Sequence, residues 1–166
     1  MITITKNKKS WLFLPVCFLL FSCSKNSDPL ISFQNGEYEK AYRIWIVQAE
    51  EGDPDAQNYI GLLYYLGAGV NRDYGLARAW YEKSAAQGNA DAMFNLGLLY
   101  DRGKGVEYDY INAYGWFYAA YLMGNPKGKP YIDDLASKLT ANKKSAGMRL
   151  GEQRTLSFRV SRSLDQ

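Results

Sequence analysis

The stretch "GLLYYLGAGVNRD" at residues 61–73 is written again 36 residues later, as "GLLYDRGKGVEYD" at 97–109. Sliding the chain by that offset lays residues 49–89 over 85–125, with 17 of 41 positions identical. The matches include Gly52/Gly88, Ala56/Ala92, Gly61/Gly97, Tyr64/Tyr100, Trp80/Trp116 and the pairs Val70/Val106 and Asp73/Asp109. A match this dense is a duplication, and the period falls in the range of helix-turn-helix units that stack as a solenoid. A partial earlier copy runs at the same spacing, with Tyr38, Ala41 and Ala49 under Tyr74, Ala77 and Ala85.

Each repeated residue has a physical task. Asp53 and Asn89 are N-cap residues for a first helix, and Pro54 stands at its first position, where a missing N–H costs nothing. Ala56, Gly61 and Leu63 put small and apolar residues on one face. Gly67 and Gly103 supply left-handed C-caps, and Gly69 and Gly105 let a short loop turn before Val70 and Val106 re-enter the core. Asp73 and Asp109 cap the second helix, Ala77 and Ala113 allow close helix approach, and Trp80 and Trp116 fill the seam between units.

These residues resemble the Sel-one-like repeat, a relative of the tetratricopeptide repeat with the pattern "LG.lY..G.GV..D…A..W…AA..G". The resemblance covers roughly residues 36–125. It implies an all-α fold, a short right-handed α-solenoid of about 2.5 to 3 repeats of 36 residues with a C-terminal helical cap. The doubled stretch is then the inter-helix turn of two successive units, neither of which can bury its apolar face alone.

Outside the repeats the organisation changes. Lys6, Lys8 and Lys9 precede an apolar run at 11–21, the pattern of an export signal and too short for a finished membrane span. Leu20, Ser22 and Cys23 resemble a bacterial lipobox, with Phe21 departing from the usual small or branched residue, so residues 1–22 read as a lipoprotein signal with lipidation at Cys23. A plain signal peptide or an uncleaved anchor would export the chain as well. Residues 23–34 read as a tether, 35–125 as repeats, 126–153 as capping helices and 154–166 as a flexible tail. Within the cap, Pro130 is expected to open a helix with Asp133 and Asp134 in its first turn, and Thr140 to cap a last helix that Gly147 and Gly151 weaken.

Composition narrows the chemistry. The chain has 166 residues and no histidine, so the commonest general base and metal ligand is missing. Removing the three signal lysines from 20 basic residues leaves 17 against 17 acidic ones, a formal charge of zero that argues against a nucleic-acid surface. "GLLYDRGKG" has the wrong spacing for a phosphate loop, and the Ser22–Lys25 match to a Ser-x-x-Lys motif straddles the cleavage site. Some secreted members of the family are described as β-lactamases, but the cysteines that pair their helices are absent here. No catalytic residue, cofactor or metal is expected.

The positions that differ between copies mark the candidate binding surface. On the first helices, Asn58, Tyr59, Tyr65 and Leu66 correspond to Phe94, Asn95, Asp101 and Arg102, so the scaffold is kept while one surface changes. In related arrays these helices line the groove that receives a partner, and tyrosine is a favoured anchor. Unconstrained drift would produce the same variation. The reading is a non-enzymatic adaptor for another envelope or secreted protein, anchored through an acyl chain, with the outer membrane facing the periplasm as its expected location. The alternatives are an immunity-type lipoprotein that neutralises a toxin enzyme, a space-filling structural lipoprotein, and a periplasmic hydrolase.

Overall fold

The computed structural model describes residues 28–164, all of whose regular structure is helical. Eight helices follow one another: α1 (Pro29–Gln34), α2 (Tyr38–Glu50), α3 (Pro54–Leu66), α4 (Tyr74–Ala85), α5 (Ala90–Arg102), α6 (Tyr110–Leu122), α7 (Gly128–Lys138) and α8 (Ala141–Leu164). Sequential helices from α1 to α7 pack on one another as antiparallel neighbours, giving the helical-repeat solenoid. Helices α3, α5 and α7 form one layer and α2, α4 and α6 the other. The expected signal segment at residues 1–22 and the expected lipidation site Cys23 lie outside the described residues.

The duplicated residues act as their chemistry requires. Asp53 Oδ1 accepts from the Asp55 and Ala56 N–H groups at 2.8 and 3.0 Å, Asn89 Oδ1 from Ala92 at 2.9 Å, Asp73 from Leu76 and Asp109 from Ile111 and Asn112. Gly67 and Gly103 end α3 and α5 in the left-handed conformation. Gly69 and Gly105 do more than turn the loop. A Cβ on Gly69 would stand 2.7 Å from the backbone nitrogen of Glu39, and one on Gly105 2.8 Å from Tyr74 backbone, so each loop seats on the start of the preceding outer helix.

Three apolar clusters run along the array. Ala41, Trp45, Ala49, Ala56, Ile60 and Leu63 form the first, with Val70 and Trp80 packed against it. Ala77, Tyr81, Ala85, Ala92, Met93, Leu96 and Leu99 anchor the second, with Val106 and Trp116 alongside. Ala113, Tyr114, Phe117, Ile132 and Leu135 make the third, where α7 closes the inner layer.

Both ends depart from the sequence reading. The expected tether overlaps α1: Ser32 is buried and Phe33 packs on Tyr38 and Trp45, so residues 29–34 belong to the fold. Helix α7 begins at Gly128 instead of Pro130. Asp133 and Asp134 therefore lie past its first turn, where they pair with Lys129 and Lys138 one turn away. The expected flexible tail from Arg154 is helix, since α8 continues to Leu164 and Thr155 is fully buried.

The reason is the face on which α8 lies. It runs along α6, and Gly147 and Gly151 are contact points: a Cβ on Gly147 would meet the Tyr114 ring at 2.8 Å, and one on Gly151 the carbonyl oxygen of Gly115 at 2.8 Å. The glycines thus permit close approach and are not defects of the helix. Arg154 stacks 3.9 Å over the Trp116 ring and donates to Asn112 Oδ1 at 2.8 Å. Burial pulls its guanidinium down to about 10, against the opposing influence of Tyr100 and Asp109.

Candidate functional site

The inner layer is joined across helices by side chains one repeat apart. Asn95 donates to Asn58 Oδ1 at 2.9 Å, and Arg102 to the Tyr65 hydroxyl at 2.9 Å. That second bond holds the Arg102 guanidinium above its ordinary value. A further pair of links runs along the starts of the same helices, where Asn89 and Asn125 reach back to Asp55 and Asp91 at 2.7 and 2.9 Å.

Between α3 and α5 these links frame a slot of about 80 Å³. Leu62 and Tyr65 form one wall, Asn95 and Leu98 the other, and Tyr81 of α4 is the floor. Leu66, 44% exposed, and exposed Arg102 end the two helices that form these walls. Tyr74 packs edge-on to Tyr65 at 5.4 Å, and the Lys104 ammonium stands 5.4 Å over Tyr74. This end of the inner layer is aromatic and basic.

The eight candidate residues therefore divide. Tyr65, Leu66, Asn95 and Arg102 lie at or beside the slot, with Asn58 buried behind Asn95 as its partner. Asp101 is half-buried on the neighbouring turn. Tyr59 and Phe94 are half-buried and engaged in ring packing. Tyr59 stacks on Trp45 with ring centroids 4.2 Å apart and planes within 5°, while Phe94 packs on Phe117 and Tyr131. They differ between copies because their neighbours differ, which is a requirement of packing.

Sequence reasoning passed over the wall residues Leu62 and Leu98 and the floor residue Tyr81. The signal was available in the alignment of the repeats. Trp45, Tyr81 and Phe117 are equivalent, as are Tyr59, Asn95 and Tyr131. The first and third sets are stacked ring pairs, Trp45–Tyr59 at 4.2 Å and Phe117–Tyr131 at 4.6 Å. The middle set pairs a ring with a carboxamide, and the slot is there.

Two other depressions lie among the described residues, one of about 250 Å³ on α8 lined by Arg149, Glu152, Gln153 and Leu156. An open depression of about 490 Å³ at the start of α2 is lined by Gly36, Tyr38, Gly69 and the charges of Glu37, Glu39, Lys40 and Arg43, which cancel. Among the described residues no cluster of three acidic, cysteine or histidine side chains could hold a metal ion, and no helix is long and apolar enough to cross a membrane.

Comparison with known proteins agrees with this geometry. The Sel1 repeat family matches at residues 54–89 and 90–125, which are the α3–α4 and α5–α6 units with their connections. A solved structure of a protective antigen present in uropathogenic Escherichia coli strains, displaying an SLR fold, aligns with a TM-score of 0.73 and 31% identity over 76% of this chain. A Sel1 repeat protein from Oxalobacter formigenes aligns with a TM-score of 0.64 and 30% identity, again over 76% of this chain. The chain spans 28% of the first protein's length and 54% of the second's. No curated protein sequence matches. The chain thus carries two Sel1 repeats and shares the SLR fold of these structures, and Sel1 repeat proteins generally mediate protein–protein interaction.

Proposed function

We propose that this protein is an exported, lipid-anchored adaptor, without catalysis of its own, that grips a protein of the bacterial envelope on the α3–α5 face. The observation that carries the reading is the slot, flanked by Tyr65, Leu66 and Arg102. It offers apolar depth beside an aromatic, cationic edge, the combination found where a few anchors supply most of a contact's strength. The balanced charge of the processed chain leaves specificity to this local chemistry.

The anchor fits the position of α1. Five residue steps separate Cys23 from Asp28, at most about 18 Å of extended chain. An acyl group on Cys23 would therefore hold the start of the array against the bilayer, with Leu30 and Ile31 exposed on α1 beside it. Outer-membrane attachment facing the periplasm follows from Ser24 after the cysteine, on the resemblance to a lipoprotein sorting signal.

The test places a light-activated crosslinking residue at position 66 and, separately, at exposed Ser137 on α7, in cells that make the protein from its own signal. A defined adduct from position 66 that is absent from 137 supports the adaptor. Equal adducts, or none from 66, contradict it.

A further inference from the structure

The slot is the place of a missing ring. In the first unit the Trp45 ring is covered by Tyr59, and in the third the Phe117 ring is covered by Tyr131, with planes within 5° and 24°. The middle unit keeps the inner ring, Tyr81, in the same setting. A Cβ on Gly61 would meet Tyr81 at 2.7 Å, as one on Gly97 would meet Phe117 at 2.6 Å. Each ring thus lies on the glycine of the helix before it, and its other side faces the helix after it. There Tyr81 meets Asn95, whose carboxamide is drawn aside to Asn58.

A second observation is independent of the repeat comparison. Tyr81 is only 1% exposed, yet its hydroxyl makes no hydrogen bond to any described residue. The side chain is the floor of the slot, with the Asn95 amide in the wall above it. Polar partners and apolar walls are both present.

We infer that the slot receives an aromatic side chain from the partner protein, completing on Tyr81 the ring pair that Tyr59 and Tyr131 complete elsewhere. Leu62 and Leu98 flank the entering ring, while Tyr81 and Asn95 offer hydrogen bonds to a phenolic or indole edge. The inference rests on the adaptor reading, and names tyrosine or tryptophan on the partner as the anchor.

The probe is p-cresol, the tyrosine side chain cut from its backbone, titrated into the full folded protein while amide resonances are followed. Saturable shifts confined to Leu62, Tyr65, Tyr81, Asn95 and Leu98 are expected. The Asn95→Tyr variant supplies the ring internally, and should raise Tm and abolish saturable p-cresol binding. Should that variant fail to fold, Leu98→Trp closes the slot from the same wall and is expected to block the probe. Absent or unsaturable shifts in the parent overturn the inference, as do shifts equal in parent and closed-slot variants. Repeating the position-66 crosslink in the Asn95→Tyr chain separates the two proposals. An adduct in the parent that persists in the variant removes the slot and leaves the adaptor, whereas no adduct in the parent removes the adaptor.

Discussion

A Cβ on Gly151 would stand 2.8 Å from the carbonyl oxygen of Gly115, so α8 and α6 meet backbone to backbone. The contact replaces what a further repeat would supply. It covers the outer face of α6 with a helix that the repeat pattern does not contain.

Gly151→Leu therefore forces α8 off this face or shifts both helices. Overpacking of this kind costs about 1–3 kcal/mol, whereas Ser145→Leu on the exposed side of α8 should stay within about 0.5 kcal/mol. Urea unfolding followed by far-ultraviolet circular dichroism measures both. Equal effects would mean that α8 is not held through its glycines.

Asn89 has two duties, capping α5 and donating to Asp55 at 2.7 Å. An aspartate at this place keeps the cap, as Asp53 does for α3, but sets a carboxylate against a carboxylate. Asn89→Asp is expected to destabilise by about 0.5–1 kcal/mol in low salt, and adding Asp55→Asn should restore most of the loss. The double-mutant cycle in urea reads the coupling directly.

Alkaline pH should unfold the protein through its tyrosines. Burial raises Tyr81 above the ordinary value of 10.0, and Tyr59 and Tyr114 are raised for the same first cause. Tyr64 is raised to about 12, first by its hydrogen bond with the Tyr42 hydroxyl and then by burial. In each case the folded state binds the proton more tightly. This stability is complete below pH 10.0 and is lost as pH rises through the folded values. Burial lowers the Arg154 guanidinium, an influence opposite in direction to that of the tyrosines. One arginine stands against four tyrosines, so the urea midpoint should fall above pH 10 and fall less steeply in Tyr81→Phe. Without histidine, the midpoint should be nearly flat from about pH 6 to 8.

The repeated turn was legible because its residues serve the backbone: Asp53, Asn89, Asp73 and Asp109 cap, and Gly67 and Gly103 end helices, whatever surrounds them. What depends on long-range neighbours was harder to read. The outer face of α4 carries Arg78, Ala79, Glu82 and Lys83, and the equivalent positions of α6 are Tyr114, Gly115, Tyr118 and Ala119. That change from charged to apolar announces a covering helix. It escapes a reading that looks for sameness between copies. Tyr59 and Phe94 show the related difficulty that a packing ring and a binding ring look alike until the partner ring is placed.

The proposed anchor makes a separate demand. Cys23→Ser should leave the helical array folded, because α1 begins beyond it, and should move the protein from the membrane fraction to the soluble fraction after cell breakage. Membrane association unchanged by this substitution would contradict the lipid-anchor proposal.

The most direct test of the adaptor reading is the affinity of the partner crosslinked at position 66, measured against the parent, Tyr65→Ala, Arg102→Ala and the outer-face variant Glu152→Ala. Loss of about tenfold or more in the two inner-face variants, with Tm preserved and Glu152→Ala binding like the parent, is the expected result. Binding that survives both inner-face changes and fails with Glu152→Ala would place the interaction on α8 and contradict the assignment of the α3–α5 face.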